Sequence, residues 1–241
     1  MKTLLILSLF VFSLFASEIK IAVASNVTYA IKPLIKEFNK SSNTKVKFVI
    51  GSSGKLTTQI RNKAPFDILL SANMKYPEAL YKDKIAVIKP KVYAQGSLAL
   101  FSYRKRDLKD LSIINSIKRI AIANPKTAPY GKAAYDALNK ANLFEKNKKK
   151  FVYAENISQT VQYAMTAVDI GIIAKASLYS PKMKKFKKYI NHIDIDTSLY
   201  QPINQGIAIL NNKKETIEFY NFLFSNTAKT ILKSYGYQVE K

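Results

Sequence analysis

The stretch from Ile19 to Lys55 constrains this chain most. It reads Ile-Lys-Ile-Ala-Val-Ala-Ser-Asn, then a helix-like run, then Lys-Val-Lys-Phe-Val-Ile-Gly-Ser-Ser-Gly-Lys. Ile19–Ala24 and Val46–Ile50 are short, rich in β-branched residues, and stop at Ser or Gly, as strands do. Between them Val27, Ala30, Ile31, Leu34, Ile35 and Phe38 recur at helical spacing. Pro33 falls inside that pattern and is expected to loosen or bend its second turn. Leu56 and Ile60 begin a second helix, and Phe66, Ile68, Leu69 and Leu70 read as a buried strand. The order βαβαβ predicts an α/β fold with a parallel sheet and right-handed crossovers.

In an open sheet of this kind, ligands bind beyond the carboxyl ends of the strands, where helix N-termini present unpaired N–H groups and partial positive charge. Ser25-Asn26 and Gly51-Ser52-Ser53-Gly54-Lys55 stand at two such junctions. Each also has an ordinary explanation: Ser and Asn are common helix caps, and Gly lets a backbone turn tightly. The second junction is no phosphate loop, because Leu56 follows Lys55 and Val49 occupies the position of the first required Gly. Ser52-Ser53-Gly54-Lys55 meets the loose Ser-x-x-Lys pattern of penicillin-recognising enzymes, but the chain has neither Lys-Thr-Gly nor Ser-Asp-Asn to complete it.

Further along, Ser97–Tyr103, Arg119–Ala123 and Gly171–Ala174 read as strands and Lys132–Ala141 as a helix. Breaks at Gln95-Gly96 and Tyr200-Gln201-Pro202 bracket this second α/β unit. The tail, Gly206–Leu210 and a helix through Phe219, Phe222 and Leu223, then returns to the first. The expected organisation is residues 17–94 with 203–241 as one lobe and 95–202 as an inserted lobe, a hinged clamp crossed by two strands. Two more loops carry polar groups at strand-to-helix junctions. In Asn124-Pro125-Lys126-Thr127-Ala128-Pro129-Tyr130-Gly131 the Tyr130 phenol either faces the cleft or packs on its own loop, and in Ala154-Glu155-Asn156-Ile157 the Ile157 N–H is free to point at an anion.

Composition excludes several chemistries. With no Cys there is no disulfide, thiol nucleophile or thiolate metal site, and a single His, His192, leaves little for a zinc site or a His-based triad. His192 reads as a surface or loop residue, and no carboxylate pair shows acid/base spacing. The net charge of +23 invites a nucleic-acid reading, but only four of 39 basic residues are Arg, the usual bidentate reader, and the lysines spread along the whole length. Its two clusters, 146–150 and 182–188, read as exposed loops or helix ends. Residues 1–16, with Lys2 before an apolar run, have the form of a cleavable signal peptide, which predicts export.

Six motifs in order, Ala-Ser-Asn, Gly-Ser-Ser-Gly-Lys-Leu, Ala-Pro-Phe-Asp-Ile-Leu-Leu-Ser-Ala-Asn, Asn-Pro-Lys-Thr-Ala-Pro-Tyr-Gly, Ala-Glu-Asn-Ile and Gly-Ile-Ile-Ala-Lys, resemble the periplasmic binding proteins of bacterial molybdate ABC importers. The resemblance runs through the closing Tyr235-Gly236-Tyr237. It implies a type II periplasmic binding protein fold, two α/β lobes with a central cleft and two crossover strands. It further implies oxyanion ligands at Ser25, Asn26, Ser53, Tyr130 and the Ile157 N–H, with the metal centre reached only through its oxygens. No cofactor is expected; the ligand is molybdate or tungstate, the partner is a membrane permease, and the protein is a periplasmic monomer that binds no nucleic acid and is not an enzyme. Where some relatives place a ligating Tyr after the Gly-Ile-Val strand this chain has Ala174, and Ser71-Ala72-Asn73 replaces the usual Ser-Ala-Asp. Other readings are a carrier of sulfate or phosphate, a secreted hydrolase, or a cationic module adhering to anionic surfaces.

Overall fold

The computed structural model describes residues 17–240, so the predicted signal segment lies outside the described residues. The elements run β1 (Glu18–Ala24), α1 (Thr28–Phe38), β2 (Lys45–Gly51), α2 (Ser53–Arg61), β3 (Ile68–Ser71), α3 (Lys75–Lys82), β4 (Lys91–Gly96) and β5 (Leu98–Phe101). They continue with β6 (Ile120–Ala123), α4 (Pro129–Lys140), α5 (Phe144–Asn147), β7 (Phe151–Ala154), α6 (Ile157–Thr166) and β8 (Ile170–Ala174). The chain closes with β9 (His192–Asp194), β10 (Ile203–Ile209), α7 (Lys214–Leu223) and α8 (Asn226–Ser234).

Two five-stranded sheets result, ordered β2-β1-β3-β10-β4 and β7-β6-β8-β5-β9. In the first, β1 lies parallel to β2 and β3, as expected of βαβαβ, while β10 is antiparallel to β3 and β4. In the second, β6 is parallel to β7 and β8, and β5 is antiparallel to β8 and β9. Alternation along β1 sends Ile19, Ile21 and Val23 into a core with α1, α7 and α8, and Ala22 into another with Leu56, Ile60 and Leu80. Each such fully buried Leu or Ile contributes roughly 1.5–3 kcal/mol. The chain leaves the first sheet at Gly96, starts the second at Leu98, and returns to the first with β10 at Ile203.

Several local expectations need correction. Helix α1 runs without a break through Pro33, whose ring lies on a half-buried face of an otherwise well-packed helix. The strand expected over Ser97–Tyr103 is only Leu98–Phe101. Strand β4 lacks a clean apolar alternation, and β7 follows a lysine run; both were missed because each is an edge strand whose outer side carries polar or exposed residues. His192 is not a loop residue: it opens β9 opposite Phe101, half-buried, with Nδ1 lacking a protein partner. Burial holds its pKa below the ordinary imidazole value despite nearby Asp194. The lysine-rich 182–188 segment is a turn anchored by buried Met183 and by Phe186, whose ring meets Phe101 edge-on at 4.9 Å. Its interleaved apolar residues therefore serve the core of the second lobe.

Candidate functional site

Four helix starts converge between the lobes. From the first lobe come the 3-10 turn Ser25–Val27 leading into α1, and α2; from the second come α4 and α6. Their first residues and those just before them, with Ala72, line one small cavity: Ala24, Ser25, Asn26, Gly51, Ser52, Ser53, Ala72, Ala128, Pro129, Tyr130 and Ile157. All five residues expected at the site, Ser25, Asn26, Ser53, Tyr130 and Ile157, are thus brought together from positions up to 132 apart in the chain. A larger, open concavity lies on the outer edge of β4, beside the start of α8, with Lys91, Phe224 and Lys229 in its wall.

Among the described residues lining the cavity none is charged. Its polarity comes from hydroxyls and from backbone N–H groups that a helix cannot pair within itself. The 3-10 turn, α2 and α4 begin without any side-chain cap, at Ala24, Ser52 and Ala128; only α6 is capped, by Asn156 accepting from the Gln159 N–H. Each α-helix start carries the equivalent of about half a positive charge. The arrangement suits a small anion enclosed without a countercharge.

The side chains differ in how much donor capacity they retain. Ser53 Oγ accepts from the Ala72 N–H at 3.0 Å, leaving its own proton to give. Tyr130 is 1 % exposed, and burial, reinforced by Tyr237, Tyr93 and Tyr200, pushes its phenol well above the ordinary value, so it remains a donor at neutral pH. Asn26 Nδ2 spends both hydrogens, on Gln205 Oε1 at 2.7 Å and Tyr237 Oη at 2.9 Å. Tyr237 in return donates to the Asn26 carbonyl at 2.9 Å. The Asn26 amide nitrogen is therefore held by the protein, while its Oδ1 is buried without a protein partner.

Ser52 was not singled out from sequence, yet it lines the cavity with a buried Oγ that has no protein partner. The glycine-flanked pair Ser52-Ser53 was the signal; sequence does not say which hydroxyl turns inward. Lys55 stays outside: its Nζ meets Glu155 of the other lobe at 2.7 Å, both side chains about half exposed. Other bonds also cross the cleft, from the Gly54 N–H to the Thr127 carbonyl at 2.9 Å and from Ser158 Oγ to the Ser25 carbonyl at 2.8 Å.

The family described as bacterial extracellular solute-binding protein matches residues 19–238. The chain is 33% identical to the molybdate-binding protein ModA of Azotobacter vinelandii over 233 residues, covering 93% of this chain and 91% of that protein. It is 30% identical to the ModA of Rhodobacter capsulatus, covering 93% and 90%. The solved structure of the Azotobacter vinelandii periplasmic molybdate-binding protein superposes with a TM-score of 0.84 at 27% identity, covering 92% of this chain and all of that one.

Proposed function

The chain belongs to the bacterial extracellular solute-binding protein family, and we propose that it captures molybdate or tungstate between its lobes outside the cytoplasmic membrane and delivers it to the permease of an ABC importer. The observation that carries this reading is the convergence of four helix starts, from both lobes, on one cavity without a charged residue.

The hydroxyls of Ser25 and Ser53, the Tyr130 phenol and the N–H groups of Asn26 and Ile157 grip the oxygens of the anion, with Ser52 Oγ as a further donor. Neutral donors stabilise a dianion without a buried countercharge and its desolvation cost. A shell rich in donors also disfavours a protonated oxyanion, and so favours molybdate over hydrogen phosphate. Sulfate has the same charge but is smaller, and must be rejected by the size of the closed cavity.

The clamp consists of residues 17–94 with 203–241 against 95–202, hinged near Gln95 and Pro202, and residues 1–16 direct its export. It acts as a monomer that binds and releases without covalent chemistry. Isothermal titration of the mature protein with molybdate, tungstate, sulfate and phosphate tests the reading. One-to-one binding of the first two, with none of the last two, is expected. Heat from sulfate or phosphate alone would replace the cargo, and no heat from any would overturn the carrier reading.

A further inference from the structure

Gln205 sits in β10, the strand by which the chain returns from the second lobe to the first, and its side chain is fully buried. Strand alternation with Ile203 and Ile207 would put an apolar residue there, and a buried amide carries desolvation and side-chain entropy costs that a Leu would avoid. What the amide touches is informative. Its Nε2 donates to the Ile203 carbonyl at 2.9 Å and lies 3.5 Å from both the Tyr130 hydroxyl and the Ala72 carbonyl. Its Oε1 accepts from Asn26 Nδ2 at 2.7 Å. With Nε2 turned toward the Ile203 and Ala72 carbonyls, Oε1 faces Asn26 and accepts from its Nδ2. A register shift between Gln205 and Gly206 in the pairing with β4 marks the same position.

We propose that Gln205 is a positioning residue for oxyanion binding: it joins Asn26 of one lobe to Tyr130 of the other through a crossover strand, so that both donors are in place when the lobes close. The inference rests on the oxyanion reading above. Gln205 touches no anion itself. It holds Asn26 so that the N–H of the first helix start faces the cavity, and gives the Tyr130 phenol a fixed neighbour while that hydroxyl donates inward.

Two variants separate positioning from a plain structural role. Gln205→Leu is close in volume and removes all the polar contacts of the amide; it should remain folded at the assay temperature, by its thermal midpoint, while molybdate affinity falls at least about tenfold. Gln205→Glu keeps the acceptor for Asn26, but when ionised it opposes the Ile203 carbonyl and the anion, and when protonated it restores the wild-type contacts. Its molybdate affinity should therefore rise as pH is lowered between about 8 and 6, with proton uptake on binding seen by calorimetry in buffers of different ionisation heat. Wild type, titrated alongside, should show neither effect. Wild type that binds molybdate while Gln205→Leu binds equally well, or while Gln205→Glu binds without pH dependence or proton uptake, overturns the positioning role alone. Wild type that binds no oxyanion overturns both this role and the reading beneath it.

Discussion

At Tyr130 a single hydroxyl links the cavity to the end of β4, beside the proposed hinge. The phenol packs so closely on Gly96, at the end of β4, that a Cβ there would collide with its oxygen. Gly131, the next residue, has no room for a Cβ either, because the first turn of α4 presses on the Ala123 carbonyl. Removing the Tyr130 hydroxyl while keeping the ring, in Tyr130→Phe, should weaken molybdate binding by about 1–3 kcal/mol, because the surrounding groups lose a donor to a buried charge. Calorimetry reads this directly, and unchanged affinity would remove Tyr130 from the site. Gly96→Ala should weaken binding as well, with Tyr130 intact but displaced. That Ser53 and Tyr130 line one cavity agrees with the expectation drawn from the motif resemblance, whereas the contacts that hold Asn26 were not legible. Its amide is committed to Gln205 and Tyr237, which lie 179 and 211 positions away.

Among the elements, the pairing of β1, β3 and the approach to α7 depends on one carboxylate. Asp67, just before β3, accepts from the Lys20 N–H in β1 at 2.6 Å, from Asn211 Nδ2 at 2.7 Å and from Lys213 Nζ at 2.8 Å. Burial pushes its pKa up, but the bonds from Lys213, Lys20 and Asn211 together outweigh that, and the carboxyl stays below the ordinary range. A carboxylate depressed in the folded state contributes stability that is present above the unfolded pKa and lost as pH falls through the folded value. The thermal midpoint should therefore drop as pH is lowered below about 4, and Asp67→Asn should be less stable at neutral pH with a shallower acid dependence. Equal acid slopes in the two proteins would contradict the assignment. Sequence pattern located the strands buried on both faces, β1, β3, β6 and β8, whose apolar runs are unambiguous. It missed β4, β7 and β9, whose short or mixed polar sequences carry no clean apolar run, although it found the edge strand β2 from its β-branched residues.

For the molecule as a whole, charge and cavity act at different stages. On the proposed reading, the +23 net charge would draw anions in at long range, whereas the cavity would hold them with uncharged donors. Stopped-flow tyrosine fluorescence, usable because the chain has 15 Tyr and no Trp, should show the association rate falling with ionic strength while the dissociation rate hardly moves. A dissociation rate that rises as steeply as association falls would point to binding on the charged surface. The bridge between Lys55 and Glu155 spans the cleft but is half exposed, so its loss in Lys55→Ala should cost at most about 1 kcal/mol of affinity. Closure itself predicts a smaller radius of gyration in solution scattering with saturating molybdate. Superimposable profiles would count against a mobile clamp.

Sequence alone determined the alternation of strands and helices, the hydroxyls at strand-to-helix junctions, and a composition without Cys and with a single His. These are local properties, carried by residues a few positions apart. Tertiary structure decided which helix starts meet, that Ser52 as well as Ser53 lines the cavity, and that Asn26 is held through its amide by Gln205 and Tyr237. Those facts depend on two sheets built from interleaved parts of the chain and on crossover strands whose buried polar groups must find partners. Such partners are chosen by proximity in the folded molecule, which spacing along the chain does not encode.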